Sequence, residues 1–207
     1  MKEYWWFSGT DHKLGYGDGR EAAIGVTHAV AGPIELCEKG LHASPRALDA
    51  LQYASGPCAW LVGLGGSVLD GDDKSCATER TYIAGGSDTT EVLRAFARRV
   101  ALDVAHLWSM PEIVRDYLET GDESMRTAAR DAAKASASDA TNAAAWNAAW
   151  SAAYNAASAA ATSDAASAAT WAAARAVAWN TVNAAAREKY AGWLDEMLRA
   201  AIKGDTP

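Results

Sequence analysis

The stretch from residue 128 to residue 186 most constrains how this chain can fold. Of its 59 residues 31 are alanine, and it contains neither glycine nor proline. Alanine has the highest helix propensity of any residue, whereas glycine and proline interrupt helices. The composition therefore predicts that nearly the whole stretch is helical.

An internal repeat with an offset of 25 residues divides this stretch. Ser138-Asp139-Ala140 recurs as Ser163-Asp164-Ala165. Serine and aspartate are favoured at helix N-caps because their oxygens accept the free N–H groups of the first turn. We therefore expect helix breaks near Ser138 and Ser163, with one unbroken helix as the alternative. Since only two copies are clear, the pattern favours a helical bundle over a solenoid.

Large side chains recur every four residues within each copy, a spacing that places them on one helix face. They are Trp146, Trp150 and Tyr154, and then Trp171, Arg175 and Trp179. These rows form either the core between closely packed helices or an exposed stripe that binds a partner. Between Ala140 and Ala174 the only charged residue is Asp164. We therefore expect much of this surface to be covered, by the bundle or by another chain.

Residues 1–87 have the pattern of a small β-rich domain with one helix. Short aromatic and aliphatic runs between Gly- and Asp-rich turns predict strands. These lie at residues 4–7, around Leu14 and Tyr16, and at 22–30, 34–37, 60–62, 68–69 and 81–83. Ser44 before Pro45 predicts a helix over residues 45–53.

The change from strands to helices is predicted at Gly85-Gly86. Asp88 and Glu91 follow as a capping box, and the last helix has an apolar face that we expect to pack on a core. That face comprises Tyr190, Trp193, Leu194, Met197, Leu198, Ala201 and Ile202. The predicted fold class is therefore α+β: a β-rich domain over residues 1–87, followed by an Ala/Trp-rich helical bundle over residues 88–207.

Charge and hydropathy exclude several classes of partner. The net charge is −7; residues 1–87 carry 7 basic and 11 acidic side chains, and residues 88–207 carry 12 and 15. Neither part has a basic face, which argues against binding to nucleic acid. The sequence has no signal-peptide pattern and no long apolar run, so we predict a cytoplasmic protein that does not enter a membrane.

The sequence also contains no motif for metal binding or redox chemistry. Cys37, Cys58 and Cys76 lack CxxC spacing and indicate reduced, mostly buried thiols. The histidines at positions 12, 28 and 106 have no metal-ligand spacing with one another or with the cysteines. We predict neither a metal nor a cofactor.

Five N-terminal segments carry distinctive motifs. They are Tyr-Trp-Trp-Phe at 4–7, Tyr-Gly-Asp-Gly-Arg at 16–20, Cys-Glu-Lys-Gly-Leu-His-Ala-Ser at 37–44, Leu-Asp-Ala-Leu-Gln-Tyr-Ala at 48–54 and Gly-Asp-Asp-Lys at 71–74. Together they resemble an uncharacterised family of tailed-phage proteins, whose members often carry Ala/Trp-rich helical tails. The resemblance implies a phage protein in the cytoplasm of an infected bacterium, and it supplies no catalytic residues.

Polar residues in these motifs predict one ligand-binding site. His42 lies at a strand-to-helix junction, Tyr53 follows about two turns later, and Asp72 and Lys74 lie in a later turn. A Gly-Leu-His-x-Ser junction before a helix ending in tyrosine is similar to pieces of ADP-ribosyltransferase-like folds, where such side chains hold the nicotinamide cofactor. We predict that Arg20 joins these four residues.

Each of these residues also has a purely structural interpretation. His42 can be a hydrogen-bonded structural histidine, residues 72–74 a solvated turn, and Arg20 the end of a hairpin turn. Glu79 is the candidate for a catalytic glutamate, and no nucleophile motif, Walker loop or dinucleotide fingerprint is present.

Three functions follow from these observations. The first is a non-enzymatic phage accessory protein that binds a host protein, such as a defence or regulatory factor, through its helical part. The second is a nucleotide or small-ligand binder, or an ADP-ribosyltransferase-like enzyme, that uses the N-terminal domain. The third is a structural module that self-assembles into a homo-oligomer through the Ala-rich helices.

Overall fold

The computed structural model describes residues 2–15, 17–103, 105–138 and 184–202. The chain forms two compact units, residues 1–90 with 194–207 and residues 91–193. The predicted break near Ser163 and both aromatic rows fall within residues 139–183, and Ser138 is the last described residue before that gap. These predictions therefore lie outside the described residues.

The first unit is built on a five-stranded antiparallel sheet. Its strands run in the order β1-β4-β5-β2, and β3 also pairs with β5. They are β1 (Glu3–Ser8), β2 (Thr27–Ala29), β3 (Leu41–Ala43), β4 (Cys58–Asp70) and β5 (Ser75–Asp88), with helix α1 (Ala47–Leu51) between β3 and β4. The prediction of a mixed α+β fold is confirmed.

The long hairpin of β4 and β5 is the centre of the sheet. Val62 lies opposite Tyr82, and Leu69 lies opposite Cys76 near the turn. The predicted strands at 60–62 and 68–69 are thus parts of one strand, β4. On its other side β4 pairs with β1 from Cys58 to Gly63.

One face of the sheet carries an apolar core, and loop residues before β2 cover it. Tyr4, Trp60, Val62 and Tyr82 project from β1, β4 and β5, and Leu14 packs on them from the loop. Strand residues that alternate in this way place every second side chain on the same face.

Several predicted strands are loops or shorter strands. Residues 22–30 contain only β2, residues 34–37 form a turn closed by a bridge between Glu35 and Lys39, and the segment around Leu14 pairs only through a bridge from Lys13 to Glu21. The apolar residues of these segments pack onto the sheet from loops. The strand predictions were wrong because they relied on local hydrophobicity, which does not show whether a segment has a strand to pair with.

The helix after β3 starts later than Ser44-Pro45 predicts. The backbone of Ser44 pairs with Trp5, at N–O distances of 2.7 and 2.9 Å, and α1 begins after Arg46. The change at Gly85-Gly86 was also predicted too early, because β5 continues to Asp88. The Asp88 carboxylate then accepts the N–H of Thr90 at 2.8 Å, where the next helix begins.

The described part of the second unit is mainly helical. It contains α2 (Thr90–Asp103), a 3-10 turn (Ala105–Leu107), α3 (Glu112–Thr120), α4 (Arg126–Ser138) and the first part of α5 (Ala184–Ile202). Helix α3 ends at Gly121, whose φ of 70° is the left-handed conformation that glycine adopts at little cost. Buried Phe96, Val100 and Tyr117 belong to the core of this unit.

Helix α5 has a buried face made of four of the seven predicted residues. Tyr190, Leu194, Leu198 and Ile202 are buried, Trp193 and Met197 are half-buried, and Ala201 is exposed. Within the first unit, Asp195 accepts the Trp5 indole N–H at 2.6 Å. None of the helices in the described ranges has the length and apolarity to cross a lipid bilayer.

Candidate functional site

Four side chains and one backbone amide form a polar cluster beside the turn between β4 and β5. The Tyr53 hydroxyl donates to Asp73 Oδ2 at 2.6 Å, and Lys74 Nζ lies 3.9 Å from the centre of the Tyr53 ring. Tyr53 is 50% exposed. The hydrogen bond to Asp73 raises the pKa of Tyr53, so the phenol stays protonated at neutral pH.

His42 and Cys37 extend this turn cluster. His42 Nε2 accepts the Cys37 backbone N–H at 3.1 Å. Partial burial, assisted by the positive charge of Lys74, lowers the pKa of His42. Burial opposes the charge of Lys74, but hydrogen bonding to Cys37 and Tyr53 outweighs it and raises the pKa of Lys74. The turn cluster therefore comprises Cys37, His42, Tyr53, Asp73 and Lys74.

The structure thus brings three of the five predicted site residues together. Tyr53, Lys74 and His42 belong to the turn cluster, whereas Asp72 is exposed in the turn and its neighbour Asp73 holds Tyr53. The ligand-binding role of these residues stays a prediction. Cys37 was missed as a neighbour because its φ of 70° turns the chain back towards β3, which sequence spacing does not reveal.

Arg20 lies apart from the turn cluster, beside β2. It forms a two-pronged ion pair with Asp18, at 2.6 and 2.7 Å, and donates to the Ala29 carbonyl at 2.9 Å. Hydrogen bonding to Arg20 lowers the pKa of Asp18. These contacts tie the loop before β2 onto that strand, in agreement with the structural interpretation of Arg20.

A second group, the arginine–aromatic cluster, surrounds Arg80 on β5. Arg80 is only 3% exposed. Its guanidinium donates to the His42 carbonyl at 2.7 Å and to the Tyr82 hydroxyl at 2.9 Å. The guanidinium also lies 4.1 Å from the centre of the Trp6 ring. A positive charge is therefore held inside the sheet by neutral oxygens and an aromatic face.

The aromatic members of the cluster contact one another edge to face. Tyr82 lies 5.7 Å from Trp6 and 5.4 Å from Trp60 between ring centres, and His28 lies 5.3 Å from Tyr82. Such geometries align the positive edge of one ring with the negative face of the next. The arginine–aromatic cluster thus comprises Trp6, His28, Trp60, Arg80 and Tyr82.

Sequence reasoning missed Arg80, although a signal was present. Arg80 and Tyr82 are two residues apart in a strand, so they must face the same side of the sheet. A charged residue in phase with buried aromatic residues is unusual, since arginine is rarely buried unless it is paired. Attention to that phase would have selected Arg80.

The second half of β4 has an open edge. Leu64 to Asp70 pair with β5 on one side, but pairing with β1 ends at Gly63, and no strand in the described residues covers the other side. Val68 is 39% exposed and Leu69 is 43% exposed. We call residues 64–70 the open edge of β4.

A bulge interrupts the open edge. The pairing register shifts between Gly65 and Val68, and Gly66 has a φ of 67°. The hydroxyl of Thr78 on β5 accepts the N–H of Ser67 at 2.9 Å. A bulge twists an edge strand and limits non-specific pairing with other chains. The bulge therefore restricts which extended segments can pair with this edge.

No protein-family model, curated protein or solved structure matches this chain. Among the described residues, no group of three or more histidine, cysteine, aspartate or glutamate side chains is arranged to hold a metal ion.

Proposed function

We propose that this protein works by binding another protein, and that the open edge of β4 takes part in the contact. The observation that carries the proposal is an unpaired strand edge flanked by two exposed apolar side chains, Val68 and Leu69. An unpaired edge offers backbone N–H and C=O groups to an added strand, and side chains at alternate positions provide specificity.

Charge defines the kind of segment that fits this edge. Asp70 and Asp72 lie at the end of the hairpin, and Glu79 is exposed on β5 opposite Gly65. An extended segment that combines apolar and basic residues would match both the apolar and the acidic parts of this surface. We commit to such a segment, contributed by a different protein.

The resemblance to tailed-phage proteins motivates the choice of partner. It favours a protein of the bacterial host, such as a defence or regulatory factor, met in the host cytoplasm. We extend the proposal to the chain beyond Ser138: residues 139–183 complete an Ala-rich helical bundle that also binds the host protein. Self-assembly through those helices is the alternative.

The first test compares an edge-blocked variant with a matched control. Val68→Lys/Leu69→Lys replaces the two apolar side chains with lysines, which natural proteins use to block edge pairing. Val26→Lys is the control, because Val26 is 37% exposed and lies beside β2, at the opposite side of the sheet. Both proteins, and the parent, are used as bait in bacterial lysate.

We expect the parent and Val26→Lys to retain the same host protein, and the double variant to lose it. Failure of all three baits to capture a host protein would contradict the proposal. Capture of the same protein in equal amounts by the parent and the double variant would also contradict it. Sedimentation of the purified parent separates the alternative, since a concentration-dependent oligomer unaffected by Val68→Lys/Leu69→Lys indicates self-assembly elsewhere in the chain.

A further inference from the structure

We propose that Arg80 and His28 form a binding site for the oxyanion group, phosphate or carboxylate, of a small molecule. This site lies in the arginine–aromatic cluster and is independent of protein binding at the open edge of β4. Its two central residues face each other directly, since His28 on β2 lies opposite Arg80 on β5 in the pairing register.

The first argument is a buried charge that no carboxylate contacts directly. Arg80 forms no ion pair in the described part of the chain, and its two protein acceptors are a carbonyl and a hydroxyl. The Asp18 carboxylate attracts Arg80 through space but is itself paired with Arg20. Arginine keeps its proton at any ordinary pH. A buried charge without direct pairing is costly to the folded state, and a bound anion would offset that cost.

The second argument is an unfilled donor. Arg80 Nε is buried and has no hydrogen-bond partner in the described residues. Buried donors are nearly always paired, so each exception needs an explanation. A guanidinium presents its N–H groups in a fixed fork that matches the two oxygens of a carboxylate or phosphate.

The third argument concerns the proton on His28. The Tyr82 oxygen accepts from Arg80, so its own proton is free to point to His28 Nδ1, which lies 3.1 Å away. A neutral imidazole that accepts at Nδ1 carries its proton on Nε2. Burial lowers the pKa of His28, which favours this neutral form. Nε2–H has no hydrogen bond in the described residues and is a second available donor.

Exposure within the cluster indicates the side from which a ligand would enter. Arg80 is nearly fully buried, whereas Trp6, whose ring covers its guanidinium, is only half-buried. Trp6 is the most exposed side chain of the cluster, and we infer that the ligand enters beside it. Asp18 would repel an anion, but it is held by Arg20 in a two-pronged ion pair.

The test uses the full chain and the side-chain N–H signals of arginine in NMR spectra. Inorganic phosphate and acetate are titrated separately at constant ionic strength, with chloride as the reference salt. Arg80→Lys identifies the Arg80 Nε–H signal, because lysine keeps the charge and lacks the guanidinium. Arg99→Lys is the matched control, since Arg99 also stacks on an indole, 4.0 Å from the centre of the Trp193 ring, but is exposed.

We expect saturable movement of the Arg80 Nε–H signal with at least one of the two anions; the anion that binds more tightly identifies the source. Arg80→Lys should weaken binding about tenfold or more, as the loss of a charge-assisted hydrogen bond predicts. His28→Gln should weaken it by a smaller factor, and Arg99→Lys should leave it unchanged.

Three results would overturn the proposal. They are the absence of saturable binding of either anion, binding that Arg80→Lys leaves intact, and movement of other arginine signals while Arg80 stays still. Should Arg80→Lys fail to fold, the parent signal can be assigned by its nuclear Overhauser contact to the Trp6 ring. The same three criteria then apply, with His28→Gln as the variant.

Discussion

The two halves of the β4–β5 hairpin differ in what surrounds them. In the first half of β4, Trp60 and Val62 are buried, and β1 pairs along the strand edge as far as Gly63. In the second half, Val68 and Leu69 are exposed, and no strand of the described chain covers the edge. One hairpin thus combines a buried, three-strand half with a half that is open on one side.

This difference separates stability from recognition. Burial of aromatic and aliphatic side chains is the main source of folding free energy, and in the hairpin it is concentrated in the covered half. The β4 strand of the open half contributes little to that core, so its side chains are available for contacts with another molecule, whereas Ser75, Cys76 and Ala77 opposite it on β5 are buried. Substitutions in the covered half should therefore lower stability, whereas substitutions in the open half of β4 should weaken binding and leave stability nearly unchanged.

The largest expected effect is in the covered half. Trp60→Ala removes a buried indole whose N–H donates to the Ser8 hydroxyl at 2.9 Å. Truncation of a core tryptophan costs about 3–5 kcal/mol, whereas Val68→Ala on the exposed edge should change stability by about 0.5 kcal/mol or less. Urea unfolding, followed through NMR signals of β5, measures both. Equal losses would erase the distinction between the halves.

Two glycines give the next contrast. Gly85 has a φ of 109°, and a Cβ there would overlap the Ala59 carbonyl, which is backbone and cannot move away. At Gly66, φ is 67° and a Cβ would meet the Thr78 hydroxyl, which can rotate. We expect Gly85→Ala to cost about 2–4 kcal/mol and Gly66→Ala about 1–2 kcal/mol. The reverse order, in the same urea assay, would contradict this description of the covered half.

His42 contributes to the pH dependence of stability, as does His28, whose pKa is also lowered by burial. Because the pKa of His42 in the folded protein is lowered, first by burial and then by Lys74, the unfolded chain binds a proton more readily. His42 therefore contributes its full stability above about pH 6.5, and that contribution is lost as the pH falls through the window below this value.

His42→Gln should accordingly lose less stability than the parent between about pH 7.5 and pH 5. Lys74→Met removes a positive neighbour and should reduce the same loss without abolishing it. Urea midpoints at the two pH values measure each variant. If the parent and His42→Gln decline in parallel, His42 is not the titrating group.

The smallest expected effect on stability is in the turn cluster. Tyr53→Phe removes the hydrogen bond to Asp73 but keeps the ring beneath Lys74. Since Tyr53 is half-exposed, water replaces the lost partner, and we expect a change of about 0.5 kcal/mol or less. A loss of unfolding free energy several times larger would show that the turn cluster contributes substantially to the stability of the sheet.

The sequence predicts the covered half better than the open half. The apolar run around Trp60 and Val62 indicates a strand, and the structure contains that strand, with residues 58–63 all buried. The loop that carries Leu14 was mistaken for a strand, because apolar residues that cover a sheet from a loop look the same as strand residues in a short window. Which edge remains open depends on where β1 ends against β4, and this is a long-range pairing.

The candidate sites also differ in how far the sequence predicts their contacts. Tyr53 and Lys74 were selected from their motifs, and the structure brings them into contact. Arg20 was grouped with them by motif alone, whereas its contacts are with Asp18 and Ala29. Arg80 was overlooked, although its spacing to Tyr82 places it on the buried face of β5; its contacts with the His42 carbonyl and the Trp6 ring come from other strands, and no local pattern predicts them.

Amide hydrogen exchange tests the central proposal most directly. Exchange of residues 58–70 is measured in the free chain and in the complex with the captured host protein. We predict that the amides of residues 64–70 exchange more slowly in the complex, that those of residues 58–63 change little because β1 already covers them, and that Val68→Lys/Leu69→Lys gains no protection under the same conditions. Unchanged exchange at residues 64–70, with protection found only elsewhere in the chain, would contradict a binding role for the open edge of β4.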